Sequence, residues 1–289
     1  MPHHLDGSER NTRVTKLRSV AVAAVAGIAA FSLAACANNT ATPAAQDTAA
    51  AGGDQIKLVN PDKLTVCTHL AFKPFQFKDA SGKIVGYDVD LMDLVAEDLG
   101  VEQEIVDISF DQITSGSVFA AQKCDAGAAA ITIREERAKA ATFSQPYFDS
   151  TLALLVKTDS GITKVEDLQG KQVAVQTDTT GKDWADENAD KYGYTTRVFD
   201  DMPTGTNSVL GGVTAATIND NGVLFDFAKD NPTTKVVQEF ETGEQYGFNV
   251  GNDNKALAEK IDEVLDAARA DGRFNDIYKK WFGVDAPTK

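Results

Sequence analysis

The chain has 289 residues, 43% of them hydrophobic, with 28 Lys and Arg against 43 Asp and Glu for a net charge of −15. So acidic a chain is repelled by nucleic acid and by anionic lipid surfaces, which argues against both as partners. Its length can bury a full core and is enough for two lobes.

Arg10, Arg13, Lys16 and Arg18 precede an apolar stretch from Val20 to Leu33, and Leu33-Ala34-Ala35-Cys36 closes it. A positive lead, an apolar run too short to span a bilayer comfortably and a small-residue processing site read as an export signal over residues 1–35. A cysteine at the cut point resembles the lipobox of bacterial lipoproteins, in which Cys36 is acylated and becomes the mature N-terminus. Residues 36–53 hold no aromatic and no large aliphatic side chain, so they cannot offset their own ordering entropy. This segment reads as a lipid-anchored flexible tether with a reach of roughly 20 Å. Removing the four bases and two acids of residues 1–35 leaves 24 bases against 41 acids, a net charge of −17.

Leu64–Thr68 reads as a strand and Phe75–Tyr87 as a hairpin with turn residues at Asp79–Gly82. Asp88 is expected to cap a helix whose Leu91, Met92, Val95, Ala96 and Leu99 share one face, with Gly100 ending it. A strand from Glu102 to Ile108, a helix near Gln112–Gln122 and a small-residue strand at Asp125–Thr132 follow. The rhythm repeats from Val165, with strands at Val173–Gln176, Thr195–Phe199 and Ala215–Ile218 and a helix around Trp184. Ser150–Val156 and Tyr246–Val250 are extended crossings between the two units. A terminal helix carries Leu257, Ile261, Val264, Leu265 and Ala268 at helical spacing. The alternation predicts α/β architecture with mainly parallel sheets, in two lobes joined by a two-strand hinge. Residues 54–150 and 246–289 form the first lobe and 151–245 the second. One continuous α/β domain is the competing reading.

With Cys36 assigned to a lipid, Cys67 and Cys124 remain, and export makes them a candidate disulfide. Cys67 lies late in one predicted strand and Cys124 just before another, which would set them at different heights in a parallel sheet. The sequence leaves the pairing open. His69 is the one histidine left after the signal, so no metal site and no cofactor are expected.

Seven strings occur in order: residues 68–77 (Thr-His-Leu-Ala-Phe-Lys-Pro-Phe-Gln-Phe), 86–91 (Gly-Tyr-Asp-Val-Asp-Leu), 131–137 (Ile-Thr-Ile-Arg-Glu-Glu-Arg), 143–148 (Phe-Ser-Gln-Pro-Tyr-Phe), 154–157, 173–181 and 278–283 (Tyr-Lys-Lys-Trp-Phe-Gly). Together they resemble the extracellular solute-binding proteins of polar amino-acid ABC importers, with the type II periplasmic-binding fold, across residues 60–284. The resemblance implies a binding protein and not an enzyme. It would carry an amino acid to the permease subunits of an ABC importer as a monomer, held at the cell membrane by its N-terminal lipid.

The resemblance also assigns site residues. Arg137 matches the arginine that grips the ligand's α-carboxylate, a task suited to the planar guanidinium fork; pairing with Glu135 or Glu136 is the structural alternative. Thr179 and Thr180 stand at a predicted helix start, where free N–H groups favour the same carboxylate. Asp220 matches the partner of the ligand ammonium, with Asp226 as a weaker competitor. Ala130 and Thr132 match positions offering a backbone carbonyl and a hydroxyl. Phe72 and Phe110 match the aromatic pair around the ligand side chain, whereas Phe75 and Phe77 read as core. His69 stands where many relatives carry an aspartate, and a partly positive imidazole there favours a neutral or acidic ligand. Two rivals remain: a cyclic-acid dehydratase on the same fold, and a sensor that presents its closed form to a membrane kinase.

Overall fold

The computed structural model describes residues 55–287; the signal 1–35, Cys36 and the tether 36–53 lie outside the described residues. The described chain opens with β1 (Lys63–Thr68), a hairpin of β2 (Phe77–Lys78) and β3 (Ile84–Val85), and helix α1 (Tyr87–Leu99). Then come β4 (Glu102–Asp107), helices α2 (Phe110–Thr114) and α3 (Ser117–Ala120), β5 (Ala126–Gly127), α4 (Glu135–Ala140) and β6 (Thr142–Phe143). Strand β7 (Phe148–Lys157) leads to β8 (Gln172–Gln176), α5 (Thr180–Tyr192), β9 (Thr195–Phe199), α6 (Met202–Leu210), β10 (Ala216–Asp220) and α7 (Asn221–Asp230). The chain returns through β11 (Thr234–Tyr246) and ends with β12 (Asn249–Val250), α8 (Lys255–Asp271) and α9 (Arg273–Phe282). Among the described residues no helix is long and apolar enough to cross a membrane.

Two five-stranded sheets result, ordered β4-β1-β5-β12-β6 and β11-β7-β10-β8-β9. In each, the strands that alternate with helices pair in parallel: β1 with β4 and β5, and β8 with β9 and β10. The remaining pairings are antiparallel, because β7 and β11 carry the chain out of one lobe and back into it. These two strands pair from Phe148 opposite Tyr246 to Lys157 opposite Thr234. They form the two-strand hinge, and each sheet is the core of one lobe.

The apolar spacing in the helices is used as predicted. Leu91, Met92 and Val95 of α1 and Leu257, Ile261 and Leu265 of α8 are fully buried, each such side chain contributing about 1.5–3 kcal/mol. Phe75 and Tyr87 meet Phe148 of β7, Tyr246 of β11 and Phe282 of α9, with ring centroids 5.0–6.2 Å apart. This aromatic cluster fastens the roots of both hinge strands to the first lobe. Phe77 is half-buried instead, edge-on to Trp281 at 5.7 Å.

Several local expectations need correction. Asp88 does not cap α1; the helix starts one residue earlier after Gly86, and the Asp88 side chain turns inward and is fully buried. The helix expected near Gln112–Gln122 is broken into α2 and α3 by Gly116, whose φ of 72° is left-handed and suits glycine. The longest strand, β11, falls in residues where no element is predicted, because its half-exposed side chains show little apolar alternation. Cys67 and Cys124 are joined by a disulfide, with Cα atoms 5.7 Å apart. The expected difference in height does not arise, because Cys124 lies in the loop before β5 and is not bound to the strand register.

Candidate functional site

A cavity lies between the lobes and is lined from both. The first lobe contributes His69, Phe72 and Gln76 from the loop after β1, and Phe110 from the start of α2. It adds Ala129, Ala130 and Thr132 from the segment after β5, and Arg137 from α4. The second lobe contributes Gln176 at the end of β8, Thr179 and Thr180 at the start of α5, and Asp220 at the end of β10. All nine of the cavity residues expected from the sequence, from His69 to Asp220, are in this lining. Strand ends and helix starts converge there, as they do at ligand crevices of open α/β sheets.

Arg137 is 7% exposed. Its Nη1 donates to the Thr132 carbonyl at 3.1 Å and its Nη2 to the Asp178 carbonyl at 2.7 Å, while the guanidinium lies 5.4 Å from the Phe110 ring centre. Glu135 and Glu136 do not hold it: Glu135 pairs with Lys139 at 3.0 Å and Glu136 with Arg134. Among the described residues no carboxylate comes within 4.0 Å of this buried cation. Burial lowers its pKa, opposed by the negative field of Asp178 and Asp220, yet an arginine at neutral pH keeps its charge.

Asp220 is 5% exposed and is both the last residue of β10 and the residue before α7. Its Oδ2 accepts the Tyr246 hydroxyl at 2.5 Å, and no cationic side chain among the described residues pairs with it. Burial raises its pKa, and the nearby Glu244 carboxylate raises it further. Asp226, the competing acid, sits apart from this lining and pairs with Lys73 at 3.2 Å. The cavity therefore holds one buried cation and one buried anion without a salt bridge between them.

Thr179 caps α5, its hydroxyl oxygen accepting the Lys182 N–H at 3.1 Å while the hydroxyl donates to the Gln176 carbonyl at 2.8 Å. The first N–H groups of that helix have no partners inside it, and Thr180 stands among them. Ala130 has a left-handed φ of 49°. Its N–H donates to the buried Asp88 carboxylate at 2.8 Å, which fixes the unusual turn of chain along the cavity wall. His69 Nδ1 donates to the Ile108 carbonyl at 2.9 Å. Among the described residues no cluster of His, Cys, Asp or Glu could hold a metal ion.

Residues 64–284 match the family model of bacterial extracellular solute-binding proteins, family 3. The chain belongs to that family. The ABC transporter glutamine-binding protein GlnH of Bacillus subtilis is 32% identical over 211 residues, covering 71% of this chain and 76% of the relative. Structures of an ancestral arginine-binding protein, one bound to arginine and one to glutamine, are each 38% identical, with a TM-score of 0.72 over 77% of this chain and 99% of theirs. An ancestral amino-acid-binding protein described as a precursor of cyclohexadienyl dehydratase is 32% identical, with a TM-score of 0.69 over 76% of this chain and 95% of its own. The mixed α/β chain with its two hinge strands thus has a type II periplasmic-binding fold.

Four residues of this solute-binding protein's site escaped the sequence reading, Ala129 among them. Gln76 and Gln176 carry no charge or ring to draw notice, although Gln76 lies inside one of the family strings. Glu244 sits on the hinge strand β11 beside a shift in register, and its carboxylate accepts the hydroxyls of Thr180 at 3.1 Å and Thr132 at 3.5 Å. Nothing in the sequence around Glu244 separates it from its exposed acidic neighbours.

Proposed function

We propose that this protein is the receptor of an amino-acid ABC importer, closing on one α-amino acid and delivering it to a membrane permease. The observation that carries this is the unpaired Arg137 guanidinium and the unpaired Asp220 carboxylate in one cavity. Leaving a buried charge without a partner costs several kcal/mol, and a zwitterion answers both at once. The α-carboxylate would lie on Arg137 with the Thr132 hydroxyl and the α5 start. The ammonium would lie on Asp220 with the Ala130 carbonyl, and the side chain between Phe72 and Phe110.

The relatives named for arginine and glutamine support amino-acid transport and give no support to the expected preference for a neutral or acidic ligand. The dehydratase-linked relative means the fold by itself admits enzymes. Binding without turnover is the better reading here, because the family is one of solute-binding proteins and an opposed cation and anion suit holding a zwitterion. The Leu33-Ala34-Ala35-Cys36 string supports export as a lipoprotein, tethered by acylated Cys36 to the outer face of the membrane. Cys36→Ser should release the protein from the membrane fraction.

A thermal-shift panel of the purified protein against the common amino acids tests the main reading. A ligand at a hundred times its Kd should add about 2.7 kcal/mol of stability. A panel in which no α-amino acid raises the melting temperature would refute the assignment.

A further inference from the structure

We propose that His69 and Gln76 form a donor-reading end of the cavity, which selects amino acids whose side chains end in N–H groups, a guanidinium or a carboxamide. This rests on the amino-acid reading above and adds the side-chain class. A backbone carbonyl can only accept, and that fact orients both residues. Gln76 directs its Nε2 at the His69 carbonyl, 3.3 Å away, so its other terminal atom is the oxygen. His69 spends its Nδ1–H on the Ile108 carbonyl, so the neutral ring carries its lone pair on Nε2.

These two remaining atoms, Gln76 Oε1 and His69 Nε2, are both buried and both without a hydrogen-bond partner. Gln76 is 1% exposed, and both residues line the cavity. Buried acceptors without donors are costly and rare in folded proteins. A ligand side chain bringing N–H groups satisfies them. A carboxylate would set acceptor against acceptor, and a hydrocarbon would leave both acceptors unpaired. Phe72 and Phe110, each 8% exposed, supply apolar faces against which a planar guanidinium or amide can stack.

Isothermal calorimetry with arginine, citrulline, glutamine, glutamate and norleucine on the purified protein tests this. At least one of the three donor-ended ligands should bind more than about tenfold tighter than both glutamate and norleucine. The ranking of arginine against citrulline and glutamine then tells guanidinium from carboxamide. Gln76→Leu should shrink the ratio of donor-ended to norleucine affinity by about tenfold, a ratio that a general loss of folding does not produce. Glutamate or norleucine binding as tightly as the best donor-ended ligand overturns the proposal while leaving amino-acid binding intact. An unchanged ratio in Gln76→Leu also overturns it. If none of the five binds, the proposal is overturned, and the thermal-shift panel above decides separately whether amino-acid binding stands.

Discussion

Asp88 accepts the N–H of Ala130 at 2.8 Å with one carboxylate oxygen and the hydroxyl of Tyr147 at 2.8 Å with the other, entirely away from solvent. It thereby couples the first helix to the left-handed residue on the cavity wall. Asp88→Ala would leave two buried donors unpaired, costing about 2–4 kcal/mol of stability, and would let Ala130 relax. Asp88→Asn can still accept from Ala130 while its amide donates to the Tyr147 oxygen. Paired chemical denaturation and calorimetry should therefore find the alanine variant weak in both respects and the asparagine variant near wild type.

Burial raises the Asp88 pKa to about 7 from an ordinary value of 3.8. The folded state thus holds this proton more tightly than the unfolded chain does. The stability contributed is fully present below about pH 4 and is lost as pH rises through about 7. The effect is bounded at about 4 kcal/mol. Measured as wild type minus Asp88→Asn, which cancels the other carboxylates, the stability difference should favour wild type more at pH 5 than at pH 8. A difference independent of pH would contradict the assignment.

Ligand binding should run the opposite way. Asp220 and Glu244 are both raised by burial, and a ligand ammonium favours the ionised form, lowering the pKa in the complex. Affinity is therefore highest above neutral pH and falls as pH drops below it, by at most about tenfold per pH unit for each proton taken up. Calorimetry from about pH 8 to about pH 5 should show this slope, and Asp220→Asn should bind far more weakly with a flatter profile.

Polar pairs also cross between the lobes on either side of the cavity. Arg134 reaches Asp183 at 2.5 Å, Thr114 bonds Asp178, and Lys73 reaches Asp230 at 2.8 Å. The two ion pairs are partly exposed, so each contributes less than about 1 kcal/mol. Arg134→Ala is expected to weaken ligand affinity only a few-fold and to reduce its dependence on salt, as titrations at low and high ionic strength would reveal.

The elements that place the site were legible where apolar period and turn chemistry agree. Leu91 to Ala96 in α1, Leu257 to Ala268 in α8, and the strand and cap from Val173 to Thr180 are examples. Arg137 was legible through a family string and Asp220 through the wider resemblance, since a surface ion pair or a turn explains either residue equally well without it. β11 was not legible, because its partners are remote in sequence and its side chains half exposed. Nor were the inward turn of Asp88 and the open acceptors of His69 and Gln76. Those depend on which carbonyl each polar atom meets, and only the folded chain decides that.

The most direct test of the clasp between lobes is calorimetry of Arg137→Ala with the ligand that the wild-type protein binds. Loss of a buried, charge-assisted contact should weaken binding by about 3 kcal/mol or more, over a hundredfold, while the variant still melts cooperatively. Wild-type affinity in that variant would contradict the account.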